Sequence, residues 1–129
     1  MKTVFMLLWP AVFAATLFAA DAQSMRAQET RTIAVLEQAL KTDPTNGDLW
    51  IHLGFAYRKS GDIDQAQKAF TQAATLSPQD PDSLYMLGLI AESKHQTADA
   101  LRWWKKYVAV ETDPAKKAVG ENHIHHLTQ

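Results

Sequence analysis

The sequence contains no cysteine. This absence excludes disulfides, thiol catalysis, cysteine-ligated zinc or iron–sulfur sites, and the Cys-x-x-Cys-His motif that attaches haem covalently. An excess of positive charge is also missing, since 13 Lys and Arg face 14 Asp and Glu, a formal net charge of -1. We therefore expect no nucleic-acid partner, because such proteins carry a basic surface that neutralises phosphates.

Catalytic signatures are missing as well. The chain has no Gly-rich phosphate loop, no His-Glu-x-x-His motif and no Gly-x-Ser-x-Gly motif. Most Asp and Glu residues stand at the starts or on the polar faces of helix-like segments, where capping and solvation account for them. We therefore expect a protein that is not an enzyme and that holds no cofactor.

The front of the chain differs in character from the rest. Lys2 precedes an apolar run over 4–20, and Ala20-Asp21-Ala22 places small residues where signal peptidase reads them. This predicts a signal peptide over 1–22, cut before Gln23, and a periplasmic or secreted protein. An uncleaved membrane anchor over 4–20 is the alternative, because about 17 apolar residues are the lower limit for spanning a bilayer. A buried helix of the domain is a third reading.

The most informative stretch runs from Asp48 to Pro78. Its first half places large and small apolar residues at i, i+3, i+4 and i+7, the spacing of one helical face: Trp50, Leu53, Gly54 and Tyr57. Gly61-Asp62 is a turn signal, and a second helical face follows with Ala66, Ala69, Phe70 and Ala73. The pattern predicts two short antiparallel helices that approach closely at Gly54 and Ala66 and end before the proline.

The same pattern recurs 34 residues later, where Gly54 corresponds to Gly88 and Phe70 corresponds to Trp104. This predicts a second helix pair over 81–94 and 97–111. Residues 25–42 read as the second helix of an incomplete repeat, and 114–127 read as a polar closing helix. No strands are expected.

The Trp, Leu-Gly, Tyr, Ala, Phe and Pro at these separations resemble the tetratricopeptide repeat (TPR). The resemblance implies an all-α, TPR-type α-solenoid of antiparallel helix pairs with a C-terminal capping helix. The predicted TPR domain covers 23–129, with a partial repeat helix at 25–42, repeats at 47–80 and 81–113, and a capping helix at 114–127. The resemblance also implies that this domain binds a protein or peptide.

In such arrays the first helix of each pair lines a concave groove. By resemblance, the groove would be lined by Asp48, Ile51, Phe55, Arg58, Lys59, Asp82, Tyr85, Leu89, Glu92 and Ser93. Ile51, Phe55, Tyr85 and Leu89 form a second apolar stripe, which lies away from the face that packs within each helix pair. Exposed apolar stripes mark binding sites. We expect the groove to hold an apolar helix or an extended peptide, unless the 25–42 helix or the convex neighbours cover it.

A narrower likeness extends over 44–127. The Trp-rich helix, the Asp-Pro step and the closing helix are similar to the periplasmic TPR domains of c-type cytochrome biogenesis, which hold the C-terminal end of an apocytochrome. The leading hypothesis is therefore an extracytoplasmic adaptor or scaffold that acts in c-type cytochrome biogenesis or envelope complex assembly. The alternative is a permanent structural subunit of a membrane or envelope complex.

Two features remain outside this scheme. His123, His125 and His126 could bind zinc or copper, a second alternative function, but a polar, frayed chain end accounts for them and no metal site is predicted. Trp104 takes the core position of Phe70. The adjacent Trp103 either packs under the tail helix or stands on the surface for a partner.

Overall fold

In this computed structural model the backbone is described for residues 9–129 and the side chains for residues 18–129. The described residues form six α-helices and no strand: α1 Trp9–Thr42, α2 Gly47–Ser60, α3 Ile63–Leu76, α4 Pro81–Ser93, α5 Thr97–Val110 and α6 Pro114–Leu127. Each helix packs against the next one along the chain. The prediction of an all-α TPR-type solenoid is confirmed.

Polar caps fix where four of the helices begin. The side chains of Asn46, Asp62, Asp80 and Asp113 accept hydrogen bonds from backbone amides in the first turns of α2, α3, α4 and α6. These bonds satisfy donors that have no partner within the helix. The helix starts are therefore encoded locally, by one residue each.

The turn inside each helix pair has the same geometry although its sequence differs. Gly61 has φ 88° and His95 has φ 57°, so both adopt the left-handed conformation that ends a helix. The amide of Asp62 donates to Tyr57 O, and the amide of Gln96 donates to Ala91 O, both at 2.9 Å. His95 thus replaces the predicted glycine without changing the connection.

The main core lies between the paired helices. A Cβ on Gly54 would stand 2.7 Å from the Phe70 ring, and a Cβ on Gly88 would stand 2.7 Å from the Trp104 ring. Phe70 and Trp104 are both 0% exposed. Each ring therefore sits directly on the backbone of the preceding helix, which only glycine permits.

A smaller core attaches α1 to the first repeat. Leu40 of α1 is buried with Leu53 of α2 and Ala69 of α3. The Tyr57 hydroxyl donates to the Glu37 carboxylate, which adds a polar link between α2 and α1. The helix that precedes the first complete repeat is therefore packed as part of the array.

Helix α1 begins at Trp9, well before the start near residue 25 that the sequence predicts. No Gly or Pro interrupts residues 11–43, and Pro10 lies in the first turn, where proline is tolerated. Residues 18–28 are all exposed, and Phe18 is 78% exposed. The described part of the predicted signal segment is thus not a buried helix of the domain.

The remainder of the signal or anchor prediction lies outside the described side chains, and residues 1–8 lie outside the described backbone. Among the described residues, no helix is both long and apolar enough to cross a membrane.

Two tyrosines predict a loss of stability in alkali. A hydrogen bond to Glu37 raises the pKa of Tyr57 to about 12, and burial, helped by Glu111, raises the pKa of Tyr107 to about 12. Because an unfolded tyrosine ionises near pH ~10, the unfolded state loses its protons first. The stabilisation is complete below pH ~10 and is lost as the pH rises through about 12.

Ultraviolet absorbance of tyrosinate, recorded together with circular dichroism, measures this effect. The two phenols should ionise with unfolding, and changing Tyr57 and Tyr107 to Phe should flatten the alkaline stability profile. Full ionisation of both phenols near pH ~10 with the helices intact would contradict the prediction.

Candidate protein-binding surfaces

Four half-buried apolar residues lie on α2 and α4, the first helices of the two repeats. We name them the α2/α4 stripe: Ile51, Phe55, Tyr85 and Leu89. All four pack partly against the main core. The Phe55 ring meets the Phe70 ring edge-on at 5.1 Å, and the Tyr85 ring meets the Trp104 ring edge-on at 5.3 Å. The stripe is therefore positioned by the helices beneath it and only partly covered by them.

Three charged residues predicted beside this stripe are exposed: Asp48, Arg58 and Asp82. The Arg58 guanidinium lies 5.9 Å from the centroid of the Phe55 ring. A cation over an aromatic face is attracted by the ring quadrupole. The stripe thus has charge of both signs close to its apolar side chains.

Other predicted lining residues are engaged within the chain. Lys59 forms an ion pair with Glu29 of α1. The Ser93 hydroxyl donates to the carbonyl of Ile90 at 2.7 Å. Lys59 and Ser93 therefore have internal partners that a ligand would have to displace.

Glu92 belongs to a network that the sequence did not predict. Its carboxylate accepts hydrogen bonds from Trp104 Nε1 and, at 2.7 Å, from His123 Nδ1. The His123 ring stacks on the Trp104 ring with the centroids 4.1 Å apart and the planes 11° apart. The network links α6 to α4 and α5, so the Glu92 carboxylate already has two partners within the chain. Its partners lie 12 and 31 residues away, beyond the reach of helical periodicity.

The histidines of the tail are placed differently from one another. His123 turns onto Trp104 and Glu92, whereas His125 and His126 are exposed with ring centroids 6.3 Å apart. Within the residues that the structure describes, no three His, Asp or Glu side chains are grouped closely enough to hold a metal ion. The arrangement therefore uses His123 as a packing and hydrogen-bonding residue.

A small cavity of about 280 Å³ lies at one end of the stripe. Tyr85 and Tyr107 line it together with Asp82 and Glu111. The Glu111 carboxylate is already bonded to the amides of Thr112 and Asp113, at 2.8 and 2.9 Å. One of the two carboxylates is thus committed to the turn before α6.

A larger cavity of about 1020 Å³ lies elsewhere, between α1 and α3, and we name it the α1/α3 groove. Trp50, Leu53 and Tyr57 of α2 line it, with Leu40 of α1 and Ala69 of α3. Its charged rim carries both signs: Glu37, Lys41, Asp64 and Lys68. No residue of the α2/α4 stripe lines it. Sequence periodicity did not predict this groove, because the groove depends on the spacing between non-consecutive helices.

Comparison with known proteins shows which family the chain resembles. Two models described as Tetratricopeptide repeat match residues 22–70 and 53–116. Human Superkiller complex protein 3 is 30% identical over 99 residues, which is 75% of this chain and 6% of that protein. The Cell division cycle protein 27 homolog of Caenorhabditis elegans is 31% identical over 96 residues, 74% of this chain and 12% of that protein.

A bacterial protein is also similar. The formate-dependent nitrite reductase complex bifunctional subunit NrfFG of Haemophilus influenzae is 36% identical over 66 residues, which is 51% of this chain and 16% of that protein. The chain thus spans between 6% and 16% of the length of these three relatives. The matched repeats and the six-helix architecture show that the chain belongs to the tetratricopeptide repeat family, whose members are protein–protein interaction scaffolds.

Proposed function

We propose that the protein is a non-catalytic extracytoplasmic adaptor that holds a helix or an extended peptide of a partner protein on the α2/α4 stripe. The stripe itself carries the proposal. Ile51 and Phe55 lie one helical turn apart on α2, and Tyr85 and Leu89 repeat that spacing on α4. Two rows of half-buried apolar side chains, one on each helix, suit an apolar segment laid across them.

The start of the chain supports an extracytoplasmic location. Lys2, the apolar run and the Ala20-Asp21-Ala22 site have the order of a signal peptide. Residues 18–22 are exposed, and the first side chain after residue 17 that is not exposed belongs to Glu29. Cleavage before Gln23 would therefore remove none of the described core. The mass of the protein isolated from its source tests this: a chain starting at Gln23 supports cleavage, and an intact Lys2 in the membrane fraction supports an anchor.

The likeness to the TPR domains of c-type cytochrome biogenesis suggests the partner. The similarity to a subunit of a formate-dependent nitrite reductase complex also favours a role within an enzyme complex. We therefore propose the C-terminal end of an apocytochrome c as the first partner to test. An amphipathic helix at that end would place its apolar face on the two apolar rows of the stripe.

A fluorescently labelled peptide from the C-terminal end of an apocytochrome c of the same organism should bind the purified protein saturably. Changing Ile51 and Leu89 to Asp should weaken this binding about tenfold or more, because a carboxylate would face the apolar ligand. Val35→Asp is the matched control, since Val35 is an apolar residue that is 67% exposed on α1. Fluorescence anisotropy gives the affinities, and circular dichroism verifies that the variants are folded.

A photo-crosslinking residue at position 82 supplies a second readout that leaves the core untouched, because Asp82 is exposed. Crosslinking there but not at Lys105, which is exposed on α5, would support the stripe. Equal affinity of the Ile51→Asp, Leu89→Asp variant and the parent would refute it. A partner that co-purifies in fixed stoichiometry and resists high salt would instead indicate a permanent structural subunit.

A further inference from the structure

The α1/α3 groove has a counterpart one repeat later. A second cavity of about 420 Å³ lies between α3 and α5, and we name it the α3/α5 groove. Five lining positions of the two grooves are related by the same 34-residue step: Leu40 and Ala74, Lys41 and Thr75, Trp50 and Leu84, Ala69 and Trp103, Gln72 and Lys106. The repeat thus builds the same slot twice, with different side chains in it.

The exchange of residues changes the shape of the second slot. In the first groove α2 contributes the large residues Trp50 and Tyr57, and α3 contributes Ala69. In the α3/α5 groove α4 contributes only Leu84, and the large residue is Trp103 of α5. Trp103 is half-buried and packs against the main core, yet a cavity remains beside it. One alternative from the sequence was that Trp103 packs under the tail helix. Trp103 does not line the cavity next to α6.

The exchange also changes the charge. The rim of the α1/α3 groove carries two carboxylates and two amines, whereas Lys106 is the charged residue that lines the α3/α5 groove. Lys106 Nζ lies 4.9 Å from the centroid of the Trp103 ring, and Arg102 Cζ lies 5.1 Å from it. Arg102 also pairs with Asp99 at 3.0 Å, which leaves Lys106 as the cation directed at the slot. No carboxylate lines this slot among the described residues.

We propose that the α3/α5 groove is a second docking site, which takes a segment of a partner protein carrying an apolar side chain next to Asp or Glu. The apolar side chain enters between Leu84 and Trp103, and the carboxylate pairs with Lys106. Charge complementarity selects this occupant, because the groove offers an apolar wall, one cation and no carboxylate. A slot between two helices admits a side chain but not a flat bilayer surface, so a peptide fits better than a membrane.

The first repeat supplies variants for the test. Trp103→Ala places at this position the residue that Ala69 provides in the first groove, and Lys106→Gln does the same with Gln72. Both changes therefore copy side chains that the repeat already accommodates. Lys105→Gln is the matched control, because Lys105 is exposed on the same helix and does not line the groove.

The probe is a short labelled peptide with Leu and Phe on one face flanked by Glu, titrated into the full chain and followed by fluorescence anisotropy. A counterpart peptide with Lys in place of Glu reports the charge preference. We expect the Glu peptide to bind, Trp103→Ala to weaken it about tenfold, and Lys106→Gln to weaken it about threefold and reduce its salt dependence. Lys105→Gln should leave the affinity unchanged.

Other outcomes overturn the proposal. Equal binding of the two peptides, no binding of either, or affinity unaffected by Trp103→Ala would each refute it. Binding only to vesicles containing anionic lipid would show that the α3/α5 groove contacts a membrane. Self-association that Trp103→Ala abolishes would show that the groove binds a second copy of the chain. Measuring the same peptides on the Ile51→Asp, Leu89→Asp variant removes binding at the α2/α4 stripe, so failure of the α3/α5 groove is distinguishable from failure of the stripe.

Discussion

Replacing Trp104 with alanine is expected to lower the free energy of unfolding by about 3–5 kcal/mol. Trp104 is 0% exposed and lies against Gly88. Its ring contacts those of Tyr85 and Tyr107, with centroids 5.3 and 5.8 Å away, and stacks on His123. The truncation would leave a cavity at the meeting point of α4, α5 and α6 and would remove the donor that Glu92 accepts from.

Denaturant unfolding followed by circular dichroism measures this loss. Trp103→Ala is the matched control on the neighbouring residue, and it should cost much less, because Trp103 is only half-buried. Trp104→Phe should fall between the two, since Phe70 fills the same place in the first repeat but cannot donate a hydrogen bond to Glu92. A loss below about 1 kcal/mol for Trp104→Ala would show that the second repeat does not depend on this ring.

The size of the loss matters because small domains are marginally stable, typically by about 5–15 kcal/mol. The Trp104 side chain of α5 contacts Gly88 and Glu92 of α4 and stacks on His123 of α6. The capping helix should therefore be released together with the second repeat. Hydrogen exchange of the α6 amides in Trp104→Ala would report that coupling.

The sequence predicted the parts of the fold that are encoded within one repeat. Helix spans of 81–94 and 97–111 were expected, and the structure has Pro81–Ser93 and Thr97–Val110. Capping side chains and the recurring small–large pairs lie close together in sequence or one full period apart, so periodicity reveals them. The close approach at Gly88 follows from the same pairing.

The features that the sequence missed depend on contacts between helices that are not neighbours in the pattern. The hydrogen bond between Glu92 and His123 was not predicted, because His123 lies 31 residues away on α6. The α1/α3 and α3/α5 grooves lie between helices that are not consecutive, and no residue spacing encodes that separation. The start of α1 at Trp9 was missed because helix propensity, without amphipathicity, continued the helix beyond the packed region.

Replacing Gly88 with leucine is expected to destabilise the protein by about 3 kcal/mol or more. A Cβ at this position would stand 2.7 Å from Trp104 Cε2, and the fully buried ring has no space to retreat. Better helix propensity returns at most about 1 kcal/mol, so the steric cost decides the sign. Gly61→Ala is the contrasting variant: a Cβ there has nothing within 4 Å, and the cost of about 1–2 kcal/mol comes from φ 88° alone.

A double-mutant cycle locates the clash. Gly88→Ala should cost less in a Trp104→Phe background than in the parent, because the smaller ring vacates part of the space that the new methyl group needs. The coupling should be at least about 0.5 kcal/mol, the range expected for residues in contact. If the costs of Gly88→Ala and Trp104→Phe were strictly additive, the new methyl group would push α4 and α5 apart as rigid bodies instead of pressing on the Trp104 ring. In that case the glycine at each helix crossing would set the distance between helices through backbone contact alone, and the ring would only fill the space left over.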